Sequence, residues 1–205
     1  MAISLVDVNA PIPVEQRAAI ERMDNNSLII RLHFTINHLS RWLSPIHDEH
    51  KLERSRYRDE PSPKEILVMM RNEEHRIFPK MHLISVQNNP DLDKLPEFRV
   101  TSERAELDEM RVPIALMGQF RRLRQSTCSL LRSVPDDAWS RQGFSRTAPN
   151  TTIRELALYL AECDYRYLSA LDRALDNVGA RTGLAEIQKT HLDDLLKLVP
   201  ERLRI

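Results

Sequence analysis

Across 205 residues Lys+Arg and Asp+Glu balance at 30 each, so no global field draws the chain to nucleic acid or an anionic membrane. Only four glycines and 5% aromatics argue against a barrel or sandwich, and the abundance of Leu, Arg and Glu argues for helices. A chain this long buries roughly 70% of its unfolded surface in one core, so a single domain is expected.

Residues 1–26 read as an N-terminal arm, acidic and punctuated by proline, without the basic-then-apolar order of a signal peptide. Pro11 and Pro13 keep it extended ahead of a short helical run, Val14–Arg22. The first strong helix covers about Ser27–Leu43, where Leu28, Leu32, Ile36, Leu39 and Leu43 recur at helical spacing and Ser27 or Asn26 serves as cap. Pro45 ends it, and a polar linker, Ile46–Glu60, follows. Ser62-Pro63-Lys64-Glu65 is the sharpest start signal: a capping box with proline at the first helical position, where its missing N–H costs nothing. That helix should run to about Val86, with Ile66, Met70, Ile77, Met81 and Ile84 buried and a kink at Pro79. Asn88-Asn89-Pro90 stops it.

Leu92–Val100 is a loop, and Thr101 or Ser102 caps a long third helix kinked at Pro113. Its expected core face is Leu107, Met110, Ile114, Met117, Phe120, Leu123, Leu130 and Leu131. A turn at Val134 leads to a short piece around Trp139, and Gly143 and Pro149 frame a loop. Thr152 with Glu155 forms a second capping box. The helix it opens buries Leu156, Leu160, Leu168, Leu171 and Leu175 and ends near Gly179. A last amphipathic segment is Leu184–Leu198. The expected division is an arm over 1–26, an all-α bundle over 27–180, and a C-terminal helix over 181–205 packed on that bundle. Four long helices with long crossovers make an antiparallel bundle the expected architecture. No stretch approaches the roughly 18 apolar residues that cross a bilayer.

Chemistry-bearing residues are few. Tyr159, Cys163 and Tyr167 fall at successive i, i+4 positions, one stripe on one helix face. Cys128 and Cys163 have no C-x-x-C pairing and read as reduced thiols of a cytoplasmic protein, although a disulfide between them stays open. His47 and His50 belong to a solvated linker. His75 and His82 read as surface or edge residues, His33 and His38 lie on different faces of the first helix, and His191 lies on the polar side of the last. Arg121-Arg122-Leu-Arg124 reads as a solvated basic face, bracketed by Asp108, Glu109, Asp136 and Asp137. There is no P-loop, no Gly-rich dinucleotide turn and no Gly-x-Ser-x-Gly.

Four motifs occur in an order that resembles the DinB-like (DinB/YfiT) proteins over roughly residues 27–175. They are Ser62–Glu74, the linker Leu83–Leu95, Trp139-Ser-Arg-Gln-Gly-Phe144 and the helix start Thr152–Tyr167. The resemblance implies an all-α, DinB-like four-helix bundle with additional short terminal helices, usually a homodimer. In active relatives it implies three histidines on a divalent metal such as zinc or nickel, used in some for thiol-dependent transfer. Carried across residue by residue, those histidines fall at Met69, Cys163 and Tyr167, and an extra upstream one at Tyr159. Thioether, neutral thiol and neutral phenol bind such ions poorly, so the metal site is expected to be degenerate, with no cofactor. In the first reading these side chains fill the vacated volume. In a second they form a soft copper or tyrosinate–thiolate centre, which needs an electropositive neighbour where Glu162 and Asp164 are acidic. A third leaves a metal-free pocket near Tyr159 and Trp139 for a small molecule. The expected function is a non-catalytic or small-molecule-binding bundle. The alternative is a metal-dependent thiol S-transferase or hydrolase.

Overall fold

Residues 6–147 and 150–197 are described by a computed structural model, in which α-helices carry the architecture. Among these residues they are α1 (Val14–Glu21), α2 (Asn25–Leu43), α3 (Pro63–Val86), α4 (Ser102–Met110), α5 (Pro113–Ser133), α6 (Ile153–Asn177) and α7 (Leu192–Lys197). No helix among them is long and apolar enough to cross a membrane. Residues 1–5, Ala148, Pro149 and Leu198 onward lie outside the described residues.

Both capping boxes form. Ser62 Oγ accepts from Glu65 N at 3.2 Å while Glu65 Oε2 accepts from Ser62 N at 2.7 Å, and Thr152 and Glu155 repeat the exchange. The cap of α2 is one turn earlier than expected: Asp24 Oδ1 accepts from Ser27 N at 2.6 Å, so Asn25 is already helical. α3 passes through Pro79 without interruption. Asn89, with φ of +45°, turns the chain after it, and Gly179, with φ of +65°, turns it after α6.

α2, α3, α5 and α6 make the bundle. α3 packs on α5 and α6, and α2 packs on the same two, so the chain-consecutive helices α2 and α3 stand on a diagonal. One apolar cluster joins the C-terminal halves of α2 and α6 to the N-terminal halves of α3 and α5; the other joins the opposite halves. α2 and α6 therefore run one way and α3 and α5 the other. The connection after Leu43 crosses the diagonal and the one after Val86 joins the parallel neighbours α3 and α5, so neither can be a tight turn.

Arm and terminal pieces cover the bundle. Ile12, Ile20 and Met23 are buried, Val6 N donates to Glu60 Oε1 at 2.9 Å, and Arg154 Nη2 holds the carbonyl of Met23 at 2.6 Å. Gln142–Gly143 pairs antiparallel with Thr151–Thr152, a two-strand ribbon where a plain loop was expected. A Cβ on Gly143 would stand 2.9 Å from Ile84 Cγ1 and 3.0 Å from Leu92 Cδ2, so glycine lets the ribbon lie flat on α3.

Two expected elements differ. The long third helix is two helices, because the residue before a proline is driven to extended backbone: Arg111 and Val112 have ψ of 139° and 146°, and Pro113 restarts the helix at its first turn. With the axis broken, Leu107, Met110 and Ile114 leave the core and are 41%, 74% and 47% exposed. Among the described residues the last segment is not one helix: a 3₁₀ turn, Glu186–Gln188, precedes α7. Leu192 and Leu195 are buried, whereas Ile187 faces solvent.

Candidate functional site

The capping box at Thr152 fixes where α6 begins, and the helical repeat then lines up Tyr159, Cys163 and Tyr167 along the seam with α3. Across that seam Met69 is half-buried, and Glu73 follows it one turn later on the same face. Glu73 is the hub. Its Oε2 accepts from Tyr159 Oη at 3.3 Å and its Oε1 from Tyr167 Oη at 3.4 Å. The Arg76 guanidinium donates to the same carboxylate from Nη2 at 2.6 Å and from Nε at 3.1 Å. Arg76 also hydrogen-bonds the Tyr159 hydroxyl and lies 5.3 Å from the centre of that ring, a cation–π contact.

Protonation follows from burial and from that carboxylate. Burial raises the pKa of both phenols, and the nearby Glu73 charge raises them further, so both stay neutral donors. Burial also raises the Cys163 thiol, even though Arg166 Nη2 reaches Sγ at 3.2 Å. Burial opposes the Arg76 charge, but Glu73 outweighs it and the guanidinium pKa rises. The seam thus holds one carboxylate, one guanidinium, a neutral thiol and two neutral phenols.

Glu73, Arg76 and Arg166 were missed by sequence reasoning. Glu73 and Arg76 lie four and seven residues after Met69, on its face of α3, and that spacing was the available signal. Arg166 likewise supplies the electropositive neighbour that Glu162 and Asp164 had seemed to exclude. Trp139 lies on the 3₁₀ turn Asp136–Ser140, and Tyr159 packs against the apolar cluster that contains it. Trp139 is buried in the same apolar cluster as Ile84 and Leu131 and plugs the bundle end. Cys128 is sealed inside, its thiol pushed up to about 11 by burial, and both cysteines are free thiols.

The expected solvated face of α5 is half wrong. Arg121 and Arg122 are exposed, but Arg124 is buried at the level where the two apolar clusters meet. Its guanidinium binds Glu74, Asp164 Oδ1 at 2.9 Å and the Leu32 carbonyl at 3.0 Å. Thr35 donates to Asp164 at 2.7 Å and Thr127 donates to Glu74, so all four bundle helices meet in one ionic layer. Among the described residues, Asp172, Asp176 and His191 are close enough to share a cation. Arg181 already bridges the two carboxylates, at 2.6 Å to Asp172 and 2.7 Å to Asp176.

No family model matches the chain, and no curated protein matches it. A solved structure does: YfiT from Bacillus subtilis, described as a probable metal-dependent hydrolase with an unusual four-helix bundle topology. It superposes with a TM-score of 0.61 at 13% identity, covering 86% of this chain and 95% of that one. The chain has the DinB-like four-helix-bundle fold.

The sequence resemblance implies a divalent ion at the positions of Met69, Cys163 and Tyr167, and the side chains present there do not fit one. Thioether, protonated thiol and protonated phenols are poor partners for zinc or nickel, which take imidazole, thiolate or carboxylate. Glu73 is the one anionic donor, and a guanidinium already neutralises it.

Proposed function

We propose that this protein is a non-catalytic bundle with a degenerate metal site, working as a small-molecule-binding scaffold without metal chemistry. The supporting observation is that Glu73 collects both phenols and Arg76. The positive charge an ion would bring to the seam comes from a side chain, and the hydrogen-bonding capacity of the ligand stripe is used internally. Two unpaired thiols favour a cytoplasmic setting. The exposed apolar run Leu107–Ile114 favours a homodimer.

Elemental analysis of protein purified without an affinity tag tests this reading. Zinc and nickel are expected far below one per chain; a stoichiometric ion would overturn it. Met69→His, Cys163→His and Tyr167→His together should create uptake of about one zinc per folded chain, because three imidazoles would then face Glu73. A folded triple variant that binds no more zinc than wild type would show that these are not the ligand positions.

A second reading is favoured by the fold likeness alone: a metal-dependent hydrolase or thiol S-transferase with its ligands elsewhere. The same elemental analysis separates the two.

A further inference from the structure

The break at Pro113 has opened a groove. α4 leans off the axis of α5 and is tied down by Arg71, whose guanidinium holds Asp108 with two bonds of 2.6 Å. Between them lies an open groove of about 680 Å³, floored by His75 of α3 and by Gln119 and Leu123 of α5. That volume suits one small molecule. The groove contains none of Met69, Cys163 or Tyr167, so it stands apart from the seam and from the reading given to it.

Four arginines line it. Arg99 is engaged by Glu97 at 2.6 Å and Arg111 by Asp108 at 3.0 Å. Arg104 and Arg122 have no carboxylate within ion-pair distance among the described residues, and Glu103 is the one acidic side chain in the lining. With the supporting groups included, Arg71, Arg99, Arg104, Arg111 and Arg122 face only Glu97, Glu103 and Asp108. The excess is positive. Burial lowers the pKa of both His75 and Arg104; Arg104 and Arg71 add to the effect on His75, and Arg71 adds to it on Arg104.

The arginine is also held in place. Phe98 stacks on His75 with ring centres 5.4 Å apart and planes 7° from parallel, and the Arg104 guanidinium lies 4.9 Å from the Phe98 centre. A guanidinium fixed on a ring offers its fork of donors to a planar or tetrahedral oxyanion with little entropy left to lose. Gln119 Oε1 is taken up by Arg71 at 3.0 Å, which leaves its amide N–H groups for a ligand. Leu107 and Leu123 give the same groove apolar walls.

We propose that this groove binds a small organic anion, an oxyanion head group on an apolar body, with Arg104 and Arg122 as the charged contacts. Carboxylate and phosphate-ester heads share the chemistry, and a titration with each distinguishes them. Calorimetry on the full chain with hexanoate and phenyl phosphate, with hexanol and inorganic phosphate as controls, reads it directly. At least one of the two organic anions should bind, more weakly as salt rises, and hexanol should not. Arg104→Ala with Arg122→Ala should weaken binding by at least about tenfold, as loss of charge-assisted bonds requires. Arg146→Ala, which removes an exposed partner of Asp93, should leave it unchanged. Circular dichroism checks that the double variant folds, and Arg104→Lys with Arg122→Lys, keeping charge but losing the fork, should fall between. Failure of both organic anions to bind at millimolar concentration overturns the proposal, and so does equal binding by the double alanine variant. Inorganic phosphate binding as tightly as phenyl phosphate would remove the apolar body from it.

Discussion

Arg124 offers five N–H donors to a layer where two carboxylates, a carbonyl and two threonine hydroxyls converge. A charge taken that far from water is tolerable only if it is paired and its donors are used. Burial opposes the Arg124 charge, yet Asp164 and Glu74 more than offset this and raise its pKa. Removing one partner leaves the others stranded. Asp164→Leu is expected to cost about 3–5 kcal/mol in denaturant unfolding, since it leaves Arg124 with Glu74 as its one carboxylate and removes the carboxylate that acts on the buried Arg31. Arg99→Ala, at an exposed pair, should leave the midpoint almost where it was. Similar losses for the two would mean that the ionic layer is not what joins the helices.

At the scale of elements, the decisive event is the interruption at Arg111–Val112. A continuous helix from Thr101 would have turned Leu107, Met110 and Ile114 inward. The proline instead restarts the helix and leaves them, with Val112, on the outside. An apolar run of this kind on a surface otherwise mixed in charge is where a second copy would dock under the proposed homodimer. Leu107→Lys with Met110→Lys should then shift the protein to monomer in sedimentation velocity, with its helix content by circular dichroism unchanged because neither side chain is buried within the chain. A dimer that persists in this variant would have to use another face.

Helix starts were legible because their signals are local. Ser62 and Thr152 lie three residues from the glutamates that complete their caps, and the leucines of α2 and α6 repeat every turn. The break after α4 was legible only as a kink, since Pro113 announces a disturbance without saying whether the axis continues. The seam was half legible. Tyr159, Cys163 and Tyr167 share a face by periodicity alone, but that Glu73 would gather them depends on α3 lying alongside α6, which no local pattern states.

For the whole molecule, the stacking of two apolar clusters about a polar layer sets how stability responds to acid. His38 is buried on α2, and neither ring nitrogen finds a partner among the described residues. Burial, followed by the Arg31 charge, pushes its pKa down to about 4 from 6.5. Because the folded value lies below the unfolded one, the unfolded chain takes up the proton first. Stability is then full above about pH 6.5 and falls as pH drops toward 4, by about 3 kcal/mol at most from this one group. His38→Leu should flatten that stretch of the curve of unfolding free energy against pH. An unchanged slope between pH 6.5 and 4.5 would show that His38 is not the group responsible.

What the amino-acid order determined by itself was the set of helices, their caps and their apolar faces, because each of these is decided within a turn or two of chain. Tertiary structure alone decided that Arg124 is buried, that Arg76 and Glu73 hold the phenols, and that four arginines line an open groove. Those outcomes need partners from other helices: Arg124 meets Asp164 40 positions away, and Asp164 meets Thr35 129 positions away. A buried charge is stable only where such distant groups converge, so its fate is a property of the packed bundle and of no single segment.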